Sequence, residues 1–518
     1  MAVSCIHLVL LLCLVPATVA SPRRNLRISP TDLAALDAAA DASRPTTFFE
    51  VDRPLRPPPG SSGPCSTLLL SGSFAFTFTK PPATAAYSAP PCLAAAGGRA
   101  SAISLAVLEW RATCQGVQYD RIFGVWLGGA ELLRGSTAEP LQNGVVWSLS
   151  KDVTRYASLL AASGNSTLAV FVENLVNSGL TGVYYANVTL HLYFRRTPTR
   201  PPPPANATDV VSTSVTLPSN TYRAVVEVFV SFHGDDEFWW TNGPGADSNG
   251  PFREVTVRVD GVLAGAAWPF PVIFTGGVNP LLWRPITGIG SFNLPTYDVE
   301  LTPLLGKMLD GKAHELGFAV TNAVDVWYVD ANLHLWLDPG SAATAAGLVS
   351  YMAPELAATA TSSRTTASRQ ISATGWVKSS YGNMTTNATQ TFAFDNTNTG
   401  GDTVNQTTVV HAGVAATGRA GVLYYSAQTH HSFPLFLDSG ADQVTVTHGL
   451  EETTVAGGLW SSGPRHQSLR NTQRSSVVGG GGGGVVGHPA DVQVRGHRRV
   501  LLEERDQQRL QRRVGSVQ

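Results

Sequence analysis

Charged residues make up only 14% of this chain, so an acid set among apolar residues is the informative event. Three such acids stand out. Asp120 follows Tyr119, precedes Arg121 and leads into IFGVWLGG; Glu173 lies inside LAVFVENLV; Glu237 closes GDDE and is followed by Phe238, Trp239 and Trp240. Arg284 in LLWRPITG and His233 in VSFHG add cationic or titratable groups in similar settings. Carboxylates beside aromatics suit carbohydrate chemistry, because ring faces pack on the apolar faces of sugars while acids handle hydroxyls and protons. Each residue also has a plainer reading. Asp120 pairs with Arg121 or caps a turn, Glu173 faces solvent on a strand, GDDE is a polar hairpin tip, and the tryptophans are core.

Other chemistries lack their residues. His314-Glu315 begins a zinc-protease pattern, but Phe318 occupies the second histidine position. There is no CxxC, no glycine-rich loop ending in Gly-Lys-Ser/Thr, and no GxSxG. The glycines Gly479 to Gly484 lack a flanking strand and helix, so they form no phosphate cradle. No metal ion and no organic cofactor is expected. Net charge is −1, which selects neither nucleic acid nor a membrane surface.

The elements that must position these acids read as strands. Gly 50 and Pro 33 in 518 residues favour strand-and-turn architecture over long helices. LLLSGSFAFTF, ISLAVLEWRA, RIFGVWLGG, TLAVFVENLV and VTLHLYF form one set, and YRAVVEVFVSF, REVTVRVDG, ELGFAVTN and NLHLWLD a second. Between them TPTRPPPP is a stiff linker. The sets repeat one another. Asp152-Val153-Thr154 with Leu159-Leu160 recurs as Asp298-Val299 with Leu304-Leu305, Val172-Glu173-Asn174 as Val320-Thr321-Asn322, and YYANVTLHLYF as WYVDANLHLWL, with His191 and His334 in step. Offsets of 143 to 148 residues are domain-sized. The repeat puts Thr321 where Glu173 stands, so the shared fold requires no acid there. The expected class is all-β, with two tandem antiparallel β-sandwiches, residues 48–196 and 209–339, joined by a linker at 197–208. A third β-rich segment follows at 340–462. Residues 463–518 carry ten Arg against four acids and few large apolar groups, which predicts a disordered, dispensable tail with at most a short helix near Val500 to Arg513.

Met1 to Ala20 reads as a secretory signal peptide, its apolar run too short to span a bilayer, and no later stretch spans one. Residues 21–47 read as a mobile or pro-segment. Six sequons, at Asn165, Asn187, Asn206, Asn383, Asn387 and Asn405, fit a glycosylated secretory protein. Three cysteines remain after cleavage, enough for one disulfide with one thiol left over.

QYDRIFGVWLGGAELLRGSTAEP, VSFHGDDEFWW, WPFPVIFTGGVNPLLWRPITGIGSFNLPTYDVELTPLLGKMLDGK, VWYVDANLHLWLD and TGWVKSSYGNMTT closely resemble the plant peptide-N4-(N-acetyl-β-glucosaminyl)asparagine amidase A family, over roughly Phe48 to Trp460. The chain looks more distantly like bacterial peptide N-glycosidase F, which implies jelly-roll sandwiches packed side by side. The resemblance implies a secreted glycoamidase, extracellular, apoplastic or vacuolar, that releases N-glycans from glycopeptides at mildly acidic pH. It assigns Asp120 as principal acid/base, Glu237 and Glu173 as further active-site acids, and Arg121, Arg284, His233, Trp239 and Trp240 as substrate-binding. It leaves open whether the chain is processed into associated pieces. Relatives carry a Cys where Ser136 stands, which implies a Cys65–Cys92 bridge and a free Cys114. Two rival functions share the scaffold, an endoglycosidase cutting between sugars and a non-catalytic glycan-binding protein.

Overall fold

The computed structural model describes residues 10–12, 45–195, 214–243, 249–400, 402–440, 443–460, 465–478 and 490–496. Most of the signal segment, the linker, Asn206 and the stretch from Val500 lie outside them. The described chain is built from sheets whose named strands pair antiparallel, except Thr46–Phe48 beside Val145–Trp147, with only short helical turns between strands, so the all-β expectation holds.

The first repeat contains β2 (Thr46–Phe48), β3 (Ser61–Phe74), β4 (Ala83–Tyr87), β5 (Ile103–Gln115), β6 (Ile122–Leu127), β7 (Ala130–Ser136), β8 (Val145–Asp152), β9 (Ser166–Val172) and β10 (Val183–Arg195). One sheet runs β2-β8-β5-β10-β3 and the other β4-β9-β6-β7. The second repeat contains β11 (Thr221–Phe232), β12 (Glu254–Val259), β13 (Val262–Ala267), β14 (Thr296–Glu300), β15 (Leu316–Thr321) and β16 (Trp327–Leu337). Its sheets run β14-β11-β16 and β13-β12-β15, with a three-residue strand β1 (Leu10–Leu12) on the free edge of β16. The central orders β8-β5-β10 and β7-β6-β9 therefore recur as β14-β11-β16 and β13-β12-β15. The repeat seen in the sequence is a repeat of topology.

Register makes the correspondence residue by residue. Phe123 pairs with Val172 and Val255 with Val320, so laying Val172 on Val320 puts Arg121 on Arg253, Asp120 on Phe252 and Glu173 on Thr321. Two of the candidate acids thus stand where the sister repeat has neutral residues.

The repeats meet along β7, every residue of which is buried. Its exposed edge is capped by the second repeat, with Ser136 N–H donating to Ser291 O at 2.8 Å and Leu294 N–H to Arg134 O at 3.0 Å. Arg134 forks onto Glu131 and reaches Tyr328 O at 2.6 Å. Tyr156 OH donates to Glu227, which also accepts from His334 at 3.0 Å. His334, the partner of His191 in the repeat, is thereby a buried interface residue.

A nine-stranded sheet follows, made of β17 (Ala345–Met352), β18 (Ala357–Ala360), β19 (Arg364–Ser379), β20 (Gly382–Thr399), β21 (Thr403–Thr417), β22 (Leu423–Ser439), β23 (Gln443–Gly457), β24 (Arg465–Val478) and β25 (Ala490–Gly496). Its inner face shares a core with the second repeat, where Trp268 stacks on Phe392 at 5.0 Å and Phe270 on His448 at 4.6 Å. Glu254 and Arg369 close a buried ion pair across the same seam.

The expectation of a disordered tail over 463–518 is corrected for Arg465–Val478 and Ala490–Gly496, the part of it that is described. β24 pairs with β23 from Arg465 to Val478, and β25 pairs with β24. Leu469, Asn471, Gln473, Ser475 and Val477 face inward at 7% exposure or less. A strand at the edge of an existing sheet is stabilised by its ladder hydrogen bonds, so it needs little apolar surface of its own. Two inward side chains also reach functional loops: Asn471 donates to Val51 O at 2.8 Å and Ser475 to Leu282 O at 2.9 Å. Cys65 and Cys92 form the disulfide, and Cys114 is a buried thiol that burial pushes up to about 12.

Two predictions follow from this packing. Truncation after Pro464 removes β24 and is expected to lower the melting temperature by several degrees and reduce turnover; scanning calorimetry and an activity assay read both. His448 is fully buried, and burial pulls its imidazole down to about 3 against a weaker opposing contact with Pro271 O. Below pH 6.5 the unfolded state binds a proton the folded state refuses, so stability falls with acidification. At pH 5 this costs about 2 kcal/mol, and His448→Phe, which keeps the stack on Phe270, is expected to lose correspondingly less stability between pH 7 and pH 5 in urea titrations.

Candidate active site

Asp120 and Arg121 sit on the turn into β6, locked by the end of β7. Arg121 N–H donates to Thr137 Oγ1 at 2.8 Å, and Thr137 N–H returns a bond to Arg121 O at 2.8 Å. The Arg121 guanidinium donates to Gln118 Oε1, and Ser136 Oγ donates to Asp120 Oδ2 at 3.4 Å. Glu173 immediately follows β9, its N–H bonded to Ile122 O at 3.0 Å. Its carboxyl reaches Tyr328 of β16. Burial raises it above the ordinary carboxylate range, while the Arg121 charge and the Tyr328 hydrogen bond oppose the rise.

The second repeat supplies the facing wall. After β11 the chain turns through His233 and Gly234–Asp236 to Glu237. Asp236 is fully buried and forked by Arg253, with Nε and Nη2 at 3.1 and 2.5 Å from Oδ1, and its Oδ2 accepts from Val324 N, Asp325 N and Trp327 Nε1. Gly234 adopts φ +61°, and a Cβ there would lie 2.0 Å from Asp325 Oδ2, so only glycine fits. These constraints fix Glu237, which is 6% exposed. The His233 ring lies 4.5 Å from that of Tyr328 and 6.4 Å from that of Phe274.

The loop from Phe274 to Arg284 closes the circuit. Thr275 Oγ1 donates to Thr137 O at 3.0 Å and accepts from Glu139 N–H at 2.9 Å, tying the loop to the first repeat. A Cβ on Gly276 would stand 3.0 Å from Asp120 Oδ1 and 2.7 Å from Glu139 Oε2, and one on Gly277 would stand 3.4 Å from the Phe238 ring. The loop is held in shape by Trp283 Nε1 on Gly277 O at 2.7 Å and by the Asn279 side chain on Leu281 N–H. Arg284 is half-buried directly after Trp283.

Asp120, Arg121, Glu173, Tyr328, His233, Phe274 and Gly276 are thus linked through contacts, charge and chain neighbours at the seam of the repeats, and Phe238, next to Glu237, lies against the same loop. Trp239 and Trp240 lie elsewhere. They are 1% and 0% exposed in the core, so their ring faces are occupied by protein and they serve as the floor under Glu237. The expectation that they stack on substrate is corrected accordingly. Three groups were not singled out from the sequence: Glu139 (1% exposed), Tyr328 and Gly276. Nothing in local composition marks them; they come together only when the two repeats dock. A separate cavity of about 710 Å³ lies where both repeats meet the third sheet, lined by Arg155, Arg223, Trp268, Gln390 and His431 among others.

Comparison with known proteins decides the family. Residues 54–354 match the sequence profile of peptide N-acetyl-β-D-glucosaminyl asparaginase amidase A, and residues 362–435 that of the PNGase A C-terminal domain. The peptide-N4-(N-acetyl-β-glucosaminyl)asparagine amidase A of Prunus dulcis is 44% identical over 497 residues, covering 84% of this chain and 85% of that protein. This chain belongs to the PNGase A family. Among solved structures, PNGase F of Flavobacterium meningosepticum, a glycosylasparaginase, is 16% identical with a TM-score of 0.37, covering 53% of this chain and 96% of that one. PNGF-II is 12% identical with a TM-score of 0.30, covering 45% and 56%. The architecture of this PNGase A family member rests on its own strand pairing. Its two matched profiles divide between the paired repeats and the start of the nine-stranded sheet.

Breaking the supports should separate stability from site geometry. Asp236→Ala removes the carboxylate opposite the buried Arg253 charge and is expected to cost about 3–5 kcal/mol in denaturant unfolding. Gly276→Ala is expected to displace both carboxylates and abolish most activity while shifting the melting temperature far less.

Proposed function

We propose that the chain is a glycoamidase, hydrolysing the amide between an Asn side chain and the innermost N-acetylglucosamine of N-glycans on peptides. The observation that carries the reading is the family membership, supported by Asp120 and Glu173 flanking the paired strands β6 and β9 at positions the sister repeat fills with Phe252 and Thr321.

In this reading the bond from the side-chain carbonyl carbon to its nitrogen breaks and a water oxygen bonds to that carbon. The products are an Asp-containing peptide and a glycosylamine, which then hydrolyses to free glycan and ammonia. Asp120 orients the amide and the first sugar and moves the proton that the leaving nitrogen requires. Glu237 holds the attacking water. Glu173 contacts the innermost sugar, and burial raises its pKa, which favours its neutral form more than at an exposed carboxylate. Arg121 is hydrogen-bonded to neutral Gln118, so its charge remains available to Glu173 and to the substrate. Arg284 closes the same loop. General acid–base assistance of this kind is worth about 10²–10⁴-fold. The mechanism calls on no metal or organic cofactor.

Secretion belongs to the same proposal, with an extracellular or vacuolar destination. Asn165, Asn187, Asn383, Asn387 and Asn405, the described sequon residues, are all exposed, as acceptors must be. Among the described residues no helix is long and apolar enough to cross a membrane.

Asp120→Asn preserves shape and removes charge, and is expected to leave less than about a hundredth of wild-type turnover with an unchanged circular-dichroism melt. Activity above a tenth of wild type rejects the assignment. Glu237→Gln should lower kcat strongly, whereas Glu173→Gln, which keeps a donor, should chiefly raise KM. Mass spectrometry of a defined glycopeptide separates the rivals: Asn becoming Asp marks the amidase, a sugar left on Asn marks an endoglycosidase, and binding without turnover marks a lectin.

A further inference from the structure

Resting on the amidase reading, we propose that Phe76 and Phe78 form an aromatic platform for the part of the glycan beyond its innermost sugar. Both rings are solvent-exposed, 44% and 41%, although the turn that bears them is firmly built. Thr77 N–H and Phe78 N–H both donate to Asn174 O at 2.8 Å, Asn174 N–H donates to Thr77 Oγ1 at 3.1 Å, and Thr77 Oγ1 donates to Val172 O. The turn closes with Lys80 N–H on Thr77 O at 3.0 Å, and Thr79 holds φ +59°. Asn174 is itself fully buried, its side chain donating to Phe74 O and Gly182 O at 2.9 and 3.0 Å.

Val172 and Asn174 are the two neighbours of Glu173. The backbone on either side of that carboxyl is therefore clamped by a single residue, Thr77, and the residues on either side of Thr77 carry the exposed rings. Exposed phenylalanine gains nothing from burial in the free protein. On a rigid turn it also loses little freedom when a ligand covers it, which is the economy of a preorganised contact. Lys80 Nζ sits 4.8 Å from the centroid of the Phe76 ring, steadying it and adding a donor for hydroxyls. Sugar rings present C–H faces to aromatics and hydroxyls to such donors. Continuity with Glu173 argues for the glycan as occupant: Glu173 points across the seam to Tyr328, while the platform lies on the outer side of β9, away from β6, where a chain growing outward from the cleft would pass.

The test compares wild type with the Phe76→Ala/Phe78→Ala double variant on one peptide carrying either a single N-acetylglucosamine or a full pentasaccharide core. For the core substrate, KM is expected to rise about tenfold with kcat unchanged; for the single-sugar substrate neither should change. Phe76→Trp with Phe78→Trp should restore the core preference. Equal losses on both substrates, no loss on either, or a loss that follows peptide length rather than glycan length overturns the platform. Binding of the free pentasaccharide by saturation-transfer NMR in the Asp120→Asn background reads the platform without turnover. Binding that persists in wild type and disappears in the double variant upholds it even if no Asp is formed, in which case only the amidase reading fails.

Discussion

Arg253 and Asp236 are both removed from water, and each is tolerable there only because of the other. A lone buried charge costs far more than its pairing returns, so the pair holds every element that brings its members together. Arg253 stands at the head of β12, Asp236 beside Glu237, and the remaining carboxylate oxygen collects the amides of Val324 and Asp325 and the indole of Trp327 at the start of β16. One ion pair therefore sets the position of the facing acid, the end of β15 and the strand that delivers Tyr328. The equivalent arginine of the first repeat, Arg121, meets a neutral glutamine instead. The two copies of the charge thus differ: Arg253 is saturated by its carboxylate, whereas Arg121 bonds a neutral amide and acts on Glu173 through space.

The third sheet acts on the same site from behind. Asn396 donates to Trp240 O at 3.0 Å and Asn398 to Thr241 O at 2.7 Å, bracing the chain just after Glu237. Ser475 braces Leu282 on the loop that carries Gly276. Loops bearing functional groups gain precision from rigid elements beneath them. Here those elements belong to a separate sheet packed behind the second repeat.

Much of this was legible in the sequence. The paired landmarks, from Asp152 and Asp298 to the LHLYF and LHLWL strands, exposed the duplication because strand interiors and their closing turns are constrained by packing. The acids Asp120, Glu173 and Glu237 announced themselves by standing in apolar surroundings. β24 did not, because its inward side chains are mainly Asn, Gln and Ser, two of which bond partners 420 and 193 residues away. Trp239 and Trp240 misled in the other direction, since an aromatic pair after an acid looks the same whether it faces a sugar or a core. Glu139 and Gly276 acquire meaning only across the seam, and no local pattern encodes a contact between two repeats.

The sequon asparagines carry a consequence for self-modification. Asn187, Asn387 and Asn405 lie mid-strand, each paired on both sides, on β10, β20 and β21. To present such a side chain to a cleft, the backbone would have to peel out of two ladders at once. Glycans planted there are shielded by the stiffness of their own attachment points, not by steric cover. A glycan carried by any of these three asparagines would therefore resist removal by a neighbouring copy of the same enzyme.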